Sequence, residues 1–128
     1  MSKLLYVGTY GTDDPTRSTF PFLMAKGAID AGHETGIILM GEAAPLIKDS
    51  ISEQVKGIGI PPLKELMDFL IAHEVPISVW GMCGRARGVT DEDLKGKNAS
   101  FGTPVDAANS HAEYDQVVSF WTIGADVE

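Results

Sequence analysis

The sequence of 128 residues contains a single cysteine. One cysteine cannot form an internal disulfide, and it cannot build a zinc or iron–sulfur site that needs several thiolates. A lone thiol suits a reducing compartment, and no secretory leader is recognisable, so we expect a cytoplasmic protein. The single cysteine, Cys83, is either a reactive thiol or a small apolar core residue.

Long apolar runs and positive charge are also scarce. No run of about 18 apolar residues is present that could cross a bilayer. Ten Lys and Arg residues stand against 18 Asp and Glu, which gives a formal net charge of −8. Negative charge opposes binding to phosphate backbones and to anionic membrane surfaces. We therefore expect neither nucleic acid nor a membrane as a partner.

Repeats and long linkers are absent as well, and short apolar runs alternate with helical patterns. This alternation predicts one α/β domain over residues 1–128, with a parallel sheet and helices on both faces, because parallel neighbours need crossover helices. The runs that we interpret as buried strands are 3–7, 35–40, 76–80 and 117–123.

The expected helices differ in the strength of their signals. Ser18 is the expected cap of the first helix, with Pro21 in its first turn and Gly32 after its end. Its predicted core stripe is Phe20, Leu23, Met24, Gly27, Ala28 and Ala31. The clearest helix follows Pro62, with a stripe of Leu63, Leu66, Met67, Leu70 and Ile71. A capping box at Thr90 starts a short helix, and Pro104 starts the last one.

Three loops are expected at the carboxyl edge of the sheet, where ligands and catalytic groups gather in such folds. They are 8–17, 41–44 and 81–88. The first loop, GTYGTDDP, begins with Gly8 and Thr9 and has the layout of an anion site before a helix. It lacks the dinucleotide-binding and Walker fingerprints, so no cofactor is expected.

The third loop contains Cys83 within VWGMCGRARG. Gly81 and Gly84 flank the cysteine, and Arg85 and Arg87 follow it. If the residues after Cys83 begin a helical turn, free amides and arginine charge favour the thiolate, which is the nucleophilic form. From position alone, a functional thiol and a core cysteine remain about equally supported.

The three histidines are poor partners for this cysteine. His33 and His73 each precede a strand, so they lie at the amino edge, more than ~15 Å from the carboxyl edge at about 3.3 Å per residue. His111 falls in the middle of the last predicted helix. We therefore do not expect a cysteine–histidine dyad, and no metal site is expected.

The chain resembles the DsrE/DsrF-like family of small sulfur-relay proteins over nearly its whole length. The landmarks are DPTRSTFPFLMAKGAIDAGHE after the first strand, LMGEAA after the second, CGRARGVTDEDL, and a closing VVSF strand. Many members carry a C-G-x-C-x-x-A-R-G type of motif. Aligned on Ala86, Arg87 and Gly88, this chain has Cys83 at the second cysteine and Trp80 at the first, which removes a two-cysteine switch in this loop.

The resemblance implies a three-layer, flavodoxin-like (YchN-like), mostly parallel sheet of about five strands, and a homo-oligomer that is a trimer or hexamer. It also implies that Cys83 carries sulfane sulfur as a persulfide, exchanged with donor and acceptor proteins or small persulfides. We expect Phe101, Trp121 and Ile123 to be covered by subunit contacts. A noncatalytic module that binds a small ligand or a protein, with an incidental cysteine, is the alternative.

Overall fold

The computed structural model describes residues 1–120. Five strands form one all-parallel sheet in the order β4-β3-β2-β1-β5. The strands are β1 (Lys3–Gly8), β2 (Glu34–Leu39), β3 (Ile77–Trp80), β4 (Ala99–Gly102) and β5 (Gln116–Phe120). The helices are α1 (Pro15–Asp30), a 3₁₀ helix (Gly41–Ile47), α2 (Asp49–Ser52), α3 (Leu63–Ala72), α4 (Gly81–Ala86), α5 (Asp91–Leu94) and α6 (Pro104–Glu113).

Two helical layers enclose the sheet, so the predicted three-layer α/β architecture is confirmed. The first face carries the larger core, in which Tyr6, Ile37 and Ile77 pack beneath α1 and α3. The second face is partly covered by α6, whose Ala107 packs with Leu5. The strand order differs from that of flavodoxin itself. The first three crossovers move toward β4, and α6 then leads the chain back to β5 at the opposite edge.

The start of α1 differs from the sequence prediction. Asp14, not Ser18, caps the helix by accepting a hydrogen bond from the amide of Arg17, at 2.9 Å between Oδ1 and N. Ser18 is buried inside the helix, where its hydroxyl donates to the carbonyl of Pro15. Pro21 therefore lies in the helix interior and not in its first turn.

The predicted core stripe of α1 is wrong at three of its six positions, since Ala28 is buried, Leu23 packs against the core and Phe20 is half-buried, whereas Ala31 is exposed together with two others. Met24 and Gly27 are exposed, and the buried positions are Ser18, Thr19, Pro21, Phe22, Ala25 and Ala28. A Cβ atom built on Gly8 would lie 3.2 Å from Cγ of Pro21, which shows how closely this helix approaches β1. Four of the six buried side chains, namely Ser18, Thr19, Ala25 and Ala28, are small, and Phe22 is the large side chain that this face adds to the core.

The other helices agree better with the sequence. Leu63, Leu66, Met67 and Leu70 of α3 are buried as predicted, and both arms of the Thr90 capping box are formed. The strand β4 had no predicted range, although about five strands were expected. The last predicted strand is described as far as Phe120, and Trp121 and Ile123 lie outside the described residues. Within residues 1–120, no helix is long and apolar enough to span a membrane.

Candidate functional site

Cys83 is the third residue of α4, which begins directly after β3 at the carboxyl edge of the sheet. The helix begins at Gly81, so the helical turn that we considered after the cysteine in fact includes it. Cys83 therefore lies in the first turn, where backbone amides lack acceptors within the helix. The thiol residue is half-buried and packs against the core of the first face, while its neighbour Met82 is 66% exposed.

The glycines beside the cysteine permit close packing. A Cβ atom on Gly84 would lie 3.1 Å from Cγ1 of Val79 and 3.2 Å from Cε1 of Phe101. One on Gly81 would lie 2.6 Å from Nη1 of Arg85. Both glycines are buried, so their lack of a side chain brings α4 down onto the strands and brings the Arg85 side chain over Gly81.

The two arginines of the motif take different positions. The guanidinium of Arg85 lies over the ring of Phe101, with 4.3 Å between its Cζ atom and the ring centroid. Arg87 folds back on α4, and its Nη1 atom donates to the carbonyl of Cys83 at 3.2 Å. Of these two arginines, Arg87 is the one whose side chain is hydrogen-bonded to the cysteine residue.

Glu42 joins Arg87 from the loop after β2. Its Oε1 atom accepts from Nη2 of Arg87 at 2.8 Å and from Nε at 3.1 Å. The hydrogen bond with Glu42 is the main cause that raises the pKa of Arg87, and a smaller contribution comes from the charge of Cys83. This loop lies at the carboxyl edge as predicted, but no sequence pattern pointed to Glu42, because it is far from Arg87 in sequence.

The first loop reaches the same place through Gly11. A Cβ atom on Gly11 would clash with the backbone carbonyl of Glu42, so the two loops are in direct backbone contact. Gly8 ends β1 and accepts a hydrogen bond from the amide of Met40 at 2.9 Å. The hydroxyl of Thr9 donates to the carbonyl of Phe120 at 2.5 Å. The three predicted loops therefore meet, with Glu42 between the other two.

His33 and His73 precede strands as predicted, whereas His111 lies nearer the end of its helix than predicted. His33 accepts a hydrogen bond from the amide of Ser2 at the amino edge, and His73 ends α3 and stacks on Phe69. His111 lies in the last turn of α6. Among residues 1–120, no group of three or more His, Cys, Asp or Glu side chains is arranged to hold a metal ion.

A lysine anchors the end of the cysteine loop. The Nζ atom of Lys48 donates to the carbonyl of Gly88 and to the carboxylate of Asp93, each at 2.9 Å. The amide of Thr90 also donates to Asp93, at 2.8 Å. Burial of the Asp93 carboxyl opposes its ionisation, but hydrogen bonds from Lys48 and Thr90 outweigh that effect, so its pKa is lowered.

The lowered pKa of Asp93 predicts a loss of stability in acid. A carboxylate whose pKa is depressed by folding stabilises the protein above its unfolded pKa, near about 3.9, and that contribution is lost as the pH falls through the folded pKa. Asp93→Asn keeps an acceptor for the amide of Thr90 but cannot ionise. We expect the free energy of unfolding, measured with urea, to fall less steeply below about pH 4 in this variant than in the wild type. If the free energy of unfolding fell equally steeply with pH in the variant and in the wild type, the lowered pKa of Asp93 would be contradicted.

The chain is similar to known proteins in both sequence and structure. The family model of the DsrE/DsrF-like family matches residues 2–120. The crystal structure of the YchN protein from E. coli is similar, with a TM-score of 0.74, 20% identity, and coverage of 94% of this chain and 100% of that one. A conserved protein of unknown function from Bacteroides thetaiotaomicron has a TM-score of 0.66, 13% identity, and coverage of 92% and 94%. No curated protein matches the sequence.

These structural likenesses confirm the fold, while the family model spans the whole sheet and the loops that meet at its carboxyl edge. The cysteine loop and the loops beginning at Gly8 and Gly41 all fall within the matched residues. The chain therefore belongs to the DsrE/DsrF-like family.

Proposed function

We propose that this protein is a sulfur carrier that holds sulfane sulfur as a persulfide on Cys83. The observation that carries the proposal is the place of this thiol, half-buried in the first turn of α4 at the edge where three loops meet. Membership of a family associated with sulfur relay supports it. The binding residues that we propose around the thiol are Gly81, Gly84, Arg85, Arg87, Gly8 and Thr9.

The loading step needs neither an oxidant nor a reductant. The Cys83 thiolate attacks the outer sulfur of a thiosulfate or a persulfide, and a new S–S bond forms as the donor's S–S bond breaks. The electron pair of the broken bond leaves with sulfite or with the donor thiolate. Because the chain has one cysteine, no internal disulfide can release the sulfur, so an external acceptor must take it.

Sulfur loading gives a direct test of this function. We expect intact-protein mass spectrometry to show the gain of one sulfur atom after incubation with a small persulfide, and reversal of the gain by a reducing thiol. Cys83→Ser is the matched control and should gain nothing. A wild-type protein that gains no sulfur, or a variant that gains as much, would refute the proposal.

Two further parts of the proposal are a cytoplasmic location, which the lone thiol suggests, and assembly as a trimer or hexamer, which rests on the family resemblance. Of the residues predicted to lie in a subunit contact, Phe101 is within residues 1–120, and its position gives little support to such a contact. Phe101 packs against the core of its own subunit beneath Arg85. Met82, next to Cys83, is an exposed apolar side chain that an interface would cover.

A binding module is the second candidate, and the open part of the second face favours it. A cavity of about 440 Å³ beside α6 is lined by residues that include Ser78, Ser100 and Tyr114. A neighbouring cavity of about 520 Å³ shares the same two serines. If Cys83 titrates near about 8.5, as an unperturbed thiol does, and gains no sulfur, this second function is favoured.

A further inference from the structure

The guanidinium of Arg87 connects the cysteine helix with the loop after β2. Three of its nitrogen atoms are engaged, since Nη1 donates to the carbonyl of Cys83 and both Nε and Nη2 donate to one oxygen of Glu42. The Glu42 side chain is 60% exposed and that of Arg87 is 34% exposed. An ion pair in this setting is held weakly enough to be altered by one charge change.

Within residues 1–120, the elements that pack most closely against α4 are the 3₁₀ helix, β3 and β4, and they carry few titratable side chains. Neither β3 nor β4 contributes a titratable side chain to the contact with α4, and the 3₁₀ helix contributes only Glu42. On α4 itself, Arg85 is held over an aromatic ring. Lys48 is bound to the carbonyl of Gly88 and to Asp93. Among these charged side chains, Arg87 is the one that is hydrogen-bonded to the Cys83 residue, and Glu42 is its partner.

We propose that Glu42 is a positioning residue for Cys83, which holds the Arg87 guanidinium on the loop after β2 and so limits the positive charge that stabilises the thiolate. The inference rests on the proposed function, in which the thiolate is the group that accepts sulfur. A carboxylate paired with a guanidinium cancels much of its field, whereas a released guanidinium acts as a full charge on nearby groups. Glu42 therefore keeps the free protein less reactive than its arginine alone would make it.

Alkylation with iodoacetamide across pH tests this role. Because Cys83 is the only cysteine, every added group reports the same thiol. Glu42→Gln removes the charge and keeps an acceptor for Arg87. We expect the inflection of the rate profile to move to lower pH, with the rate at neutral pH rising about two- to tenfold. The plateau at high pH should fall slightly, because a thiolate of lower pKa is a weaker nucleophile.

Glu53→Gln is the matched control, since it makes the same charge change at an exposed residue that ends α2. Its profile should coincide with that of the wild type. A looser loop would raise the whole curve of Glu42→Gln without moving its inflection, so the two causes are separable. An unmoved inflection in Glu42→Gln would overturn the inference.

A double-mutant cycle tests whether Glu42 acts through Arg87. Arg87→Gln alone should move the inflection to higher pH, because the positive charge is lost. Adding Glu42→Gln to that variant should then move the inflection little. If Glu42→Gln moved the inflection as far without Arg87 as with it, Glu42 would act directly on the thiolate, and the positioning role would be refuted. Sulfur loading is measured separately by mass, so failure of the proposed function and failure of this inference give different results.

Discussion

Lys97→Met is expected to lower the free energy of unfolding by about 2–3 kcal/mol. The Lys97 side chain is buried, and its Nζ atom donates to the carbonyls of Ile47 and Asp93, each at 2.7 Å. It also forms an ion pair with Asp49 at 3.0 Å. Methionine fills a similar volume but leaves both carbonyl groups without their donor. The measurement is urea unfolding at neutral pH.

Lys95→Met is the matched control for this prediction. Lys95 pairs with Glu92 at 2.6 Å, but their side chains are 70% and 77% exposed. Exposed pairs of this kind contribute about 0–1 kcal/mol, so the control should unfold almost as the wild type does. Equal losses in the two lysine variants would show that burial of Lys97 is not what makes it stabilising.

The sequence predicted best those elements whose signals are local. The helix α3 has large aliphatic side chains at helical spacing, and all the buried positions of this helix were predicted. The capping box at Thr90 is formed because its partners lie three residues apart. Local spacing carries this information, so no knowledge of the tertiary fold is needed.

The misassigned elements are those in which packing overrides local pattern. In α1, the buried face follows from the close contact between Pro21 and Gly8, which belong to different elements. In β4, the residues ASFG place Ser100 on the open second face and Phe101 on the core, and so short a run gives no clear alternation. Such contacts are not recorded in the local sequence.

The sequence also predicted one part of the candidate site and not the other. Parallel topology was enough to place the loop of Glu42 and the loop of Cys83 at one edge of the sheet. The pairing of Glu42 with Arg87 needed the structure, because no motif joins residues so distant in sequence. The position of Gly11 against Glu42 was also not predictable, since glycine in a turn has several ordinary explanations.

Gly11→Ala is expected to destabilise the protein by about 2–3 kcal/mol, because the new methyl group would overlap the backbone carbonyl of Glu42. A backbone atom cannot rotate away as the end of a side chain can, so one loop must move. That movement should pull Glu42 away from Arg87. We therefore expect the alkylation profile of Cys83 in this variant to shift to lower pH, as in Glu42→Gln.

Gly27→Ala makes the same chemical change with the opposite expected result. Gly27 lies inside α1, and a Cβ atom there would have no heavy atom within 4 Å apart from the surrounding backbone of its own helix. Alanine in a helix interior is favoured over glycine by about 0.5–1 kcal/mol, so this variant should be more stable than the wild type. Its alkylation profile should be unchanged, because the Glu42 loop is contacted by Gly11 in the loop before α1, whereas a Cβ atom on Gly27 would contact no other element. If Gly11→Ala and Gly27→Ala both lowered the free energy of unfolding, the contact between Gly11 and Glu42 would not explain the effect of Gly11→Ala.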